Sequence, residues 1–205
     1  MAKSSKEWLR RHVTDQYVRE AKARGYRSRA AFKLLELNEK EKLLKPGMVV
    51  VDLGAAPGGW SQVAAQKVQP GGRVVAVDLL EIAPIKGVMV LRADFRDEKL
   101  IGTLAGAKAD VVLCDVAPNL SGIPVVDQAR QLELGLGAVA FCGKALKPNG
   151  VFLVKAFHGS AFDELLEHLK SAFSSVRVIK PAASRGESAE TYVVCRSLLC
   201  SAKSA

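Results

Sequence analysis

The sequence predicts an α/β fold with a mostly parallel, seven-stranded sheet, helices on both faces and an antiparallel hairpin at one edge. Short β-rich segments alternate with helical segments from residue 48 onward, which is typical of a parallel sheet covered by helices. Several strand segments are apolar on successive residues, as expected for strands buried on both faces. The last two strand segments have no helix between them, which favours an antiparallel hairpin at the edge.

The individual elements follow from apolar periodicity and from the turn residues that interrupt it. Strands are predicted over residues 48–53, 73–79, 87–94, 109–115, 150–157, 175–181 and 190–197. Helices are predicted over residues 5–24, from Ser28 to the KPG breaker at 45–47, and over 60–68, 127–147 and 160–173. The length of 205 residues suffices for one domain. We expect residues 1–45 to be a basic helical segment of that domain, 46–197 its main body and 198–205 a flexible tail.

The positive charge of the chain is concentrated at its N-terminal end. The formal net charge is +9, and residues 1–45 hold 13 Lys and Arg against 6 Asp and Glu. A basic end on a nearly neutral body indicates a polyanionic partner, with nucleic acid as the first candidate. The alternative is that these basic residues only aid solubility.

The cysteines and the hydropathy profile exclude several classes of protein. The four cysteines form no CxxC pair, and no histidine lies at zinc-finger spacing, so no metal is expected. Cys114 and Cys195 lie in apolar runs and are predicted to be small core residues. The sequence has no signal-peptide core and no run of about 18 apolar residues, so no membrane partner is expected. We expect a cytoplasmic protein and, by default, a monomer.

A glycine-rich loop and a series of acids predict a nucleoside ligand. Residues 49–62 read VVVDLGAAPGGWSQ, and Asp78, Asp94 and Asp115 end three of the later strands. Ligands of such sheets bind beyond the carboxyl ends of the strands. Each acid taken alone could instead be a helix cap or a solvated carboxylate. The dinucleotide fingerprint G-x-G-x-x-G fits poorly, because Ala56 replaces its second glycine and Pro57 lies inside the turn.

The loop instead resembles the first motif of class I S-adenosylmethionine (SAM)-dependent methyltransferases, which have a Rossmann-like fold. In that motif the glycines let the methionine portion of the cofactor approach the backbone. Asp78 follows Gly54 by 24 residues and is placed to hold ribose hydroxyls. Asp94 is placed to accept a hydrogen bond from the adenine amino group.

Charged residues at the ends of apolar strands form the second unusual pattern. Lys155 follows four apolar residues of one strand, Asp115 ends its neighbour and Glu190 begins the last strand. Lys33 lies within the helical stretch AAFKLLEL. Lysine is seldom buried without a partner. Two structural ion pairs would also account for these four residues.

At these positions the chain closely resembles the FtsJ-type heat-shock RNA methyltransferase family, which methylates ribose 2′-hydroxyls of large-subunit ribosomal RNA. The resemblance runs from about Lys6 to Arg196. It is carried by the motifs SRAAFKLLEL (28–37), DLGAAPGGWSQ (52–62), VDLL (77–80), ADFRD (93–97), CDVAPNLSG (114–122), VKAFHG (154–159) and ETYVV (190–194). It implies a K-D-K-E catalytic set, which falls on Lys33, Asp115, Lys155 and Glu190. The cofactor-binding positions that it implies are Gly54, Gly58, Gly59, Trp60, Asp78, Leu79, Asp94, Phe95 and Asp115. For Trp60, packing remains an alternative to cofactor contact.

The chemistry of such a reaction suits these residue types. A ribose hydroxyl is a poor nucleophile at neutral pH and must be aligned and partly deprotonated. Lys155 is expected to act as the general base, since desolvation and the nearby charge of Lys33 favour its neutral amine. Asp115 would orient Lys155 and steady the cofactor, and Glu190 would position Lys33 or the ribose. The expected product of the cofactor is S-adenosylhomocysteine.

The substrate expected from the resemblance is a uridine of 23S ribosomal RNA, in the assembled large subunit. Phosphate contacts are expected from Arg10, Arg11, Arg19, Lys22, Arg24, Arg27 and Arg29. The open alternatives are tRNA or another RNA as substrate, a small-molecule O-methyltransferase, and a non-catalytic RNA-binding protein. Methylation of a base amino group is disfavoured, because DVAPN (115–119) lacks the aromatic residue of the D-P-P-Y loop. His158 is a conceivable second base, although a simple loop histidine is favoured.

Overall fold

The computed structural model describes residues 15–104, 108–119, 121–184 and 188–199. Its sheet has seven strands in the order β3-β2-β1-β4-β5-β7-β6, and only β7 runs antiparallel to its neighbours. The strands are β1 (Val49–Leu53), β2 (Arg73–Asp78), β3 (Val88–Arg92), β4 (Ala109–Cys114), β5 (Leu146–Phe157), β6 (Phe173–Ile179) and β7 (Glu190–Leu198). The predicted mostly parallel sheet with an antiparallel edge hairpin is confirmed.

The described residues form six helices, and several of their bounds differ from the prediction. They are α1 (Gln16–Ala23), α2 (Ala30–Glu41), α3 (Gly59–Val68), α4 (Glu98–Leu104), α5 (Pro124–Ala145) and α6 (Ser160–Ala172). Of the helix predicted over 5–24, residues 5–14 lie outside the described residues, and α1 covers Gln16–Ala23 after a cap at Asp15, whose side chain accepts from the Tyr17 N–H. Helix α4 was not predicted. Helix α5 ends at Ala145 rather than at 147, because Leu146 already pairs with Ala109 of β4.

Two apolar clusters hold the helices on opposite faces of the sheet. On one face, Leu34 of α2 and Val63 of α3 pack with Val111 and Leu153 of the central strands. On the other face, α5 and α6 pack against the alternate side chains of the same strands, including Phe152. Because α2 lies in the first cluster, the N-terminal segment shares its core with the sheet.

The three described cysteines behave as core residues. Cys114, Cys142 and Cys195 are free and buried, whereas Cys200 lies outside the described residues. Burial raises the pKa of the Cys114 thiol and of the Cys195 thiol to about 12. These thiols therefore stay protonated at neutral pH and serve as small apolar side chains.

Membrane-spanning helices and metal-binding clusters are both absent from the described ranges. No helix there is both long and apolar enough to cross a bilayer. The same ranges hold no group of three or more His, Cys, Asp or Glu residues that could bind a metal ion.

Close packing between the start of α3 and the chain before α2 explains one glycine of the loop. A Cβ atom at Gly59 would overlap the Ser28 Oγ, whereas a Cβ at Gly143 of α5 would meet open space. We expect Gly59→Ala to lower the free energy of unfolding by about 1–3 kcal/mol.

Urea denaturation of wild type and three variants tests this packing. Adding Ser28→Ala to Gly59→Ala should recover most of the loss, because Ser28→Ala removes the overlapping hydroxyl. Gly143→Ala, the matched control, should stabilise by up to about 1 kcal/mol through helix propensity. Equal stability of Gly59→Ala and wild type would contradict the packing described here.

Candidate active site

The two-residue period of the strands brings the predicted catalytic side chains to one face of the sheet. Lys155 pairs with Tyr192, and Phe157 pairs with Glu190, in the antiparallel register of β5 and β7. Side chains two residues before Lys155 and Asp115 belong to the cluster beneath α2 and α3. The two charged residues therefore emerge on that same face, at the carboxyl ends of β4 and β5.

Two ion pairs bring together the four charged residues predicted to be catalytic. The Lys33 Nζ lies 2.6 Å from the Glu190 Oε1, and the Ser184 hydroxyl donates to the same oxygen at 3.0 Å. The Lys155 Nζ donates to the Asp115 carbonyl at 2.6 Å and lies 3.2 Å from its Oδ1. The Lys155 side chain is only 9% exposed, so its amine is bonded to these protein partners rather than to water.

Tyr192 connects the two pairs and was not singled out from the sequence. Its hydroxyl donates to the Asp115 Oδ1 at 3.0 Å, and its ring centroid lies 5.8 Å from the Lys33 Nζ. Burial raises the pKa of Tyr192, and the negative charges of Asp115 and Glu190 raise it further. Tyr192 therefore stays protonated and donates a fixed hydrogen bond. Its position two residues after Glu190, on the same face of β7, is the signal that could have identified it.

The pKa of Glu190 reflects both lysines. Burial raises this pKa, but the Lys33 charge and hydrogen bond, the Lys155 charge and the Ser184 hydroxyl together outweigh burial and lower it. Glu190 is therefore ionised at neutral pH. Its interaction with both lysines makes the four charged residues one electrostatic unit, to which Tyr192 and Ser184 add hydrogen bonds.

The glycine-rich loop beside this cluster is shaped by contacts within the chain. Gly54 and Gly58 have φ of 69° and 106°, a region that other residues rarely adopt. A Cβ at Gly54 would lie 2.7 Å from the Val116 Cβ, and one at Gly58 would lie 2.5 Å from the Ile85 Cδ1. The loop thus has glycines for its own folding, in addition to any need for a ligand to approach the backbone.

The acids at the ends of β2 and β3 have different partners. Asp78 accepts hydrogen bonds from the backbone N–H groups of Ala56 and Leu80, both at 2.8 Å, and so ties the glycine-rich loop to β2. Asp94 is paired with Arg96, 2.7 Å from its Nη2. The hydrogen bonds and charge of Arg96 lower the pKa of Asp94 despite some burial, so this carboxylate is ionised.

The comparisons with known proteins identify the family. The FtsJ-like methyltransferase model matches residues 26–198. The chain belongs to the FtsJ-like methyltransferase family. It is 50% identical over 196 residues to the Ribosomal RNA large subunit methyltransferase E of Nitrosospira multiformis, covering 94% of this chain and 95% of that protein. It is 48% identical to the protein of the same name from Dechloromonas aromatica, covering 96% and 98%.

Solved structures agree with this assignment. A structure described as a ribosomal RNA methyltransferase of Plasmodium falciparum is 29% identical with a TM-score of 0.74, covering 85% of this chain and 99% of that one. Fibrillarin of Aeropyrum pernix, solved with SAM bound, shares the fold at 17% identity and a TM-score of 0.61, covering 83% and 75%. The fold is therefore that of a class I methyltransferase, as predicted.

SAM is the methyl donor of this FtsJ-like methyltransferase, and the residues at the strand ends fit it. Leu79 follows Asp78 and is 61% exposed, which leaves a large apolar side chain free to cover the flat adenine ring. The carboxyl groups of Asp78 and Asp94 have acceptor capacity beyond their present bonds for ribose hydroxyls and an amino group. These residues retain the predicted cofactor-binding role as a proposal.

Two residues predicted to contact SAM lie in the core. The Trp60 side chain donates from its Nε1 to the Ala30 carbonyl at 2.8 Å and packs against Tyr192 at 5.7 Å between ring centroids. The Phe95 side chain packs in the cluster under α5. Packing, the alternative left open for Trp60, is therefore observed for both side chains, and cofactor contact by Trp60 and Phe95 stays a prediction.

The basic residues near the site divide into two groups. The Arg27 guanidinium donates to the carbonyls of Pro57, Ala83 and Pro84, and Arg29 pairs with Asp15 and donates to the Ala183 carbonyl. Both arginines thus fasten the N-terminal segment to the loops of the site. Outward-facing cations on or beside α1 are Arg19, Lys22 and Arg24, the last of which pairs with Glu20. Arg10 and Arg11 lie outside the described residues.

Asp52 is a buried acid at the start of the loop. It is 0% exposed, its Oδ2 accepts from the Ser61 hydroxyl at 2.6 Å, and its Oδ1 has no hydrogen-bond partner within the described ranges. Burial raises its pKa to about 7, with smaller upward contributions from the charges of Asp115 and Asp78. The folded protein therefore binds a proton here that the unfolded chain has already released above about pH 4.

This difference in proton binding predicts a pH-dependent effect of Asp52→Asn. As the pH rises from about 4 to about 7, the wild-type protein should lose stability relative to the Asp52→Asn variant, which cannot titrate at this position. The difference in free energy of unfolding should change by roughly 2–4 kcal/mol across that range. Urea titrations at several pH values measure it, with exposed Asp163→Asn as the control. A difference that is constant with pH would contradict the raised pKa.

Proposed function

We propose that this FtsJ-like methyltransferase methylates the ribose 2′-hydroxyl of a uridine in large-subunit ribosomal RNA, in the assembled subunit. The observation that carries the proposal is the cluster that Lys33 of α2 forms with Asp115, Lys155 and Glu190 at the ends of β4 and β5 and the start of β7. The ribosomal substrate is supported by relatives of about half-identical sequence that are named large-subunit ribosomal RNA methyltransferases. Ribosomes are cytoplasmic, so the proposal places the chain there as well.

Lys155 is the proposed general base. The bound cofactor supplies an electrophilic sulfonium methyl group. As the new O–CH₃ bond forms and the S–CH₃ bond breaks, the 2′-hydroxyl proton passes to the Lys155 Nζ. Accepting this proton requires the neutral amine form of Lys155. The Asp115 Oδ1 lies 3.2 Å from the Lys155 Nζ, so this carboxylate is placed to hold the ammonium group that proton transfer creates.

Two other residues, Asp115 and Tyr192, fix the position of the base. The Asp115 carbonyl and carboxylate hold the Lys155 Nζ, and the Tyr192 hydroxyl holds the Asp115 Oδ1 in turn. This chain of contacts fixes the amine in one direction, which alignment of a weak nucleophile requires. Lys33 and Glu190 are proposed to bind the ribose edge, with Ser184 holding the carboxylate.

The outward-facing side of α1 is the proposed phosphate-binding surface. Arg19 and Lys22 are exposed there, and Arg24 is half a turn beyond them. Arg27 and Arg29 remain candidates for phosphate contact, but their guanidinium groups already bond to protein oxygens. We therefore assign them mainly to positioning of the segment.

The proposal is tested by methyl transfer from labelled SAM to three substrates: unmodified large ribosomal subunits, free large-subunit ribosomal RNA and bulk tRNA. A 2′-O-methyl group blocks alkaline cleavage at the next phosphate, so label is expected in alkali-resistant dinucleotides from the subunits. Label only in tRNA would mean that the substrate is tRNA rather than ribosomal RNA, with the same 2′-O-methylation chemistry. Label in alkali-sensitive mononucleotides would overturn the 2′-O assignment, and no label with SAM bound would favour a small-molecule substrate.

Replacement of Lys155 tests the assignment of the base. Lys155→Met should lower the single-turnover rate by about 10²–10⁴-fold, because general-base catalysis is lost, while SAM affinity stays near wild type. Lys147→Met is the matched control, since Lys147 lies on the same strand and is exposed. A near-normal rate for Lys155→Met at saturating RNA would refute the assignment.

Salt dependence tests the proposed phosphate-binding surface. The affinity for RNA should fall steeply with salt, and Arg19→Ala with Lys22→Ala should reduce the slope of log K against log salt by about 1–2. Lys170→Ala, an exposed change at the end of α6, should leave the slope unchanged. Equal slopes for the α1 double variant and wild type would show that α1 does not contact phosphates.

A further inference from the structure

A cavity lies next to the catalytic cluster and has no role in the proposed reaction so far. It measures about 350 Å³ and lies between α5 and α6, below the ends of β4 and β5. The aromatic, proline and leucine side chains that line it are Pro118, Leu132, Phe157, Phe162 and Leu165. Its volume and apolar walls suit a small flat ring.

One buried amide is exceptional in this cavity. Gln131 lines it and is 8% exposed, yet within the described ranges neither its Nε2 nor its Oε1 has a hydrogen-bond partner. A buried amide without partners lowers the stability of the fold. An apolar residue would fill a simple packing position better, so the amide points to a polar ligand.

The structural link between α5 and α6 does not need Gln131. Gln128, one turn earlier on α5, accepts at its Oε1 from the Ser160 hydroxyl at 2.6 Å and from the Ala161 N–H at 3.4 Å. These bonds already join the two helices at the rim of the cavity. Gln131 lines the same cavity and takes no part in these bonds.

The cavity and the catalytic cluster share a wall. Phe157 lines the cavity, and the centroid of its ring lies 5.7 Å from the Lys155 Nζ. Ala117 and Pro118, also in its wall, follow Asp115 directly along the chain. A ribose held at Lys155 would therefore have its base, or that of an adjacent nucleotide, within reach of this cavity.

We propose that the cavity binds an unstacked nucleobase of the substrate RNA, an inference that rests on the proposed function. Proteins read single-stranded RNA by stacking splayed bases on aromatic rings and by hydrogen bonds to base edges. Phe157 and Phe162 supply the rings. The Gln131 amide supplies one donor and one acceptor side by side, which match the O4 and N3–H of uracil.

Kinetics of Gln131→Leu test this assignment. The KM for the RNA substrate should rise about tenfold or more, whereas SAM affinity and the melting temperature should stay at or above the wild-type values. Ala161→Leu, which fills the cavity from the half-exposed start of α6, should raise KM similarly. Lys144→Leu, an exposed change on α5, is the control and should leave KM unchanged.

Photo-crosslinking locates the base directly and does not require turnover. A large-subunit RNA fragment containing 4-thiouridine should crosslink to peptides that contain Phe157, Phe162 or Gln131, and Ala161→Leu should abolish these crosslinks. Unchanged KM in both cavity variants, with crosslinks confined to α1, would overturn the inference. Failure of the wild-type protein to methylate any RNA would instead refute the proposed function.

Discussion

The antiparallel register between β5 and β7 is the constraint on which the site depends. Lys155 lies opposite Tyr192, and Glu190 begins β7 two residues earlier on the same face. A slip of one residue would turn Glu190 and Tyr192 to the opposite face, under α5 and α6. The apolar residues that follow on β7 set the register, because Val193 and Val194 must enter different cores. Packing thus fixes the position of the catalytic charges.

The N-terminal segment binds three parts of the site at once. Arg27 holds the carbonyls beside the glycine-rich loop, Arg29 holds the turn that carries Ser184, and Lys33 pairs with Glu190 at the start of β7. Glu36 also holds the turn that carries Ser184, because its carboxylate accepts from the N–H groups of Ala182 and Ala183. The segment proposed to contact RNA is therefore connected directly to the residues proposed to bind the cofactor and the ribose.

Much of the fold and site could be predicted from the sequence because the strands are short, strongly apolar and separated by clear turn residues. Lys155 and Asp115 stood out for the same reason, as charges at the ends of apolar runs. Helix α4 was missed because its seven residues include Gly102, and its stability depends on packing of Leu100 and Ile101. No local pattern reveals such a contact.

The partners of the arginines and of Tyr192 could not be predicted, because they depend on residues far apart in the chain. Arg27 and Arg29 looked like phosphate ligands from their charge alone, yet each bonds to carbonyl groups of distant loops. Tyr192 looked like an ordinary strand residue. Its hydroxyl acquires a role only because β4 and β7 flank the same strand, which brings Asp115 within 3.0 Å.

The central claim is that Lys33 and Glu190 act as one unit with the Lys155 base. The most direct test is a double-mutant cycle on the single-turnover rate of 2′-O-methyl formation, with Lys33→Met, Glu190→Gln and the double variant. If the residues act together, the double variant should be no slower than the slower single variant. Multiplied losses in the double variant would contradict the account, because they would mean that the two residues act independently.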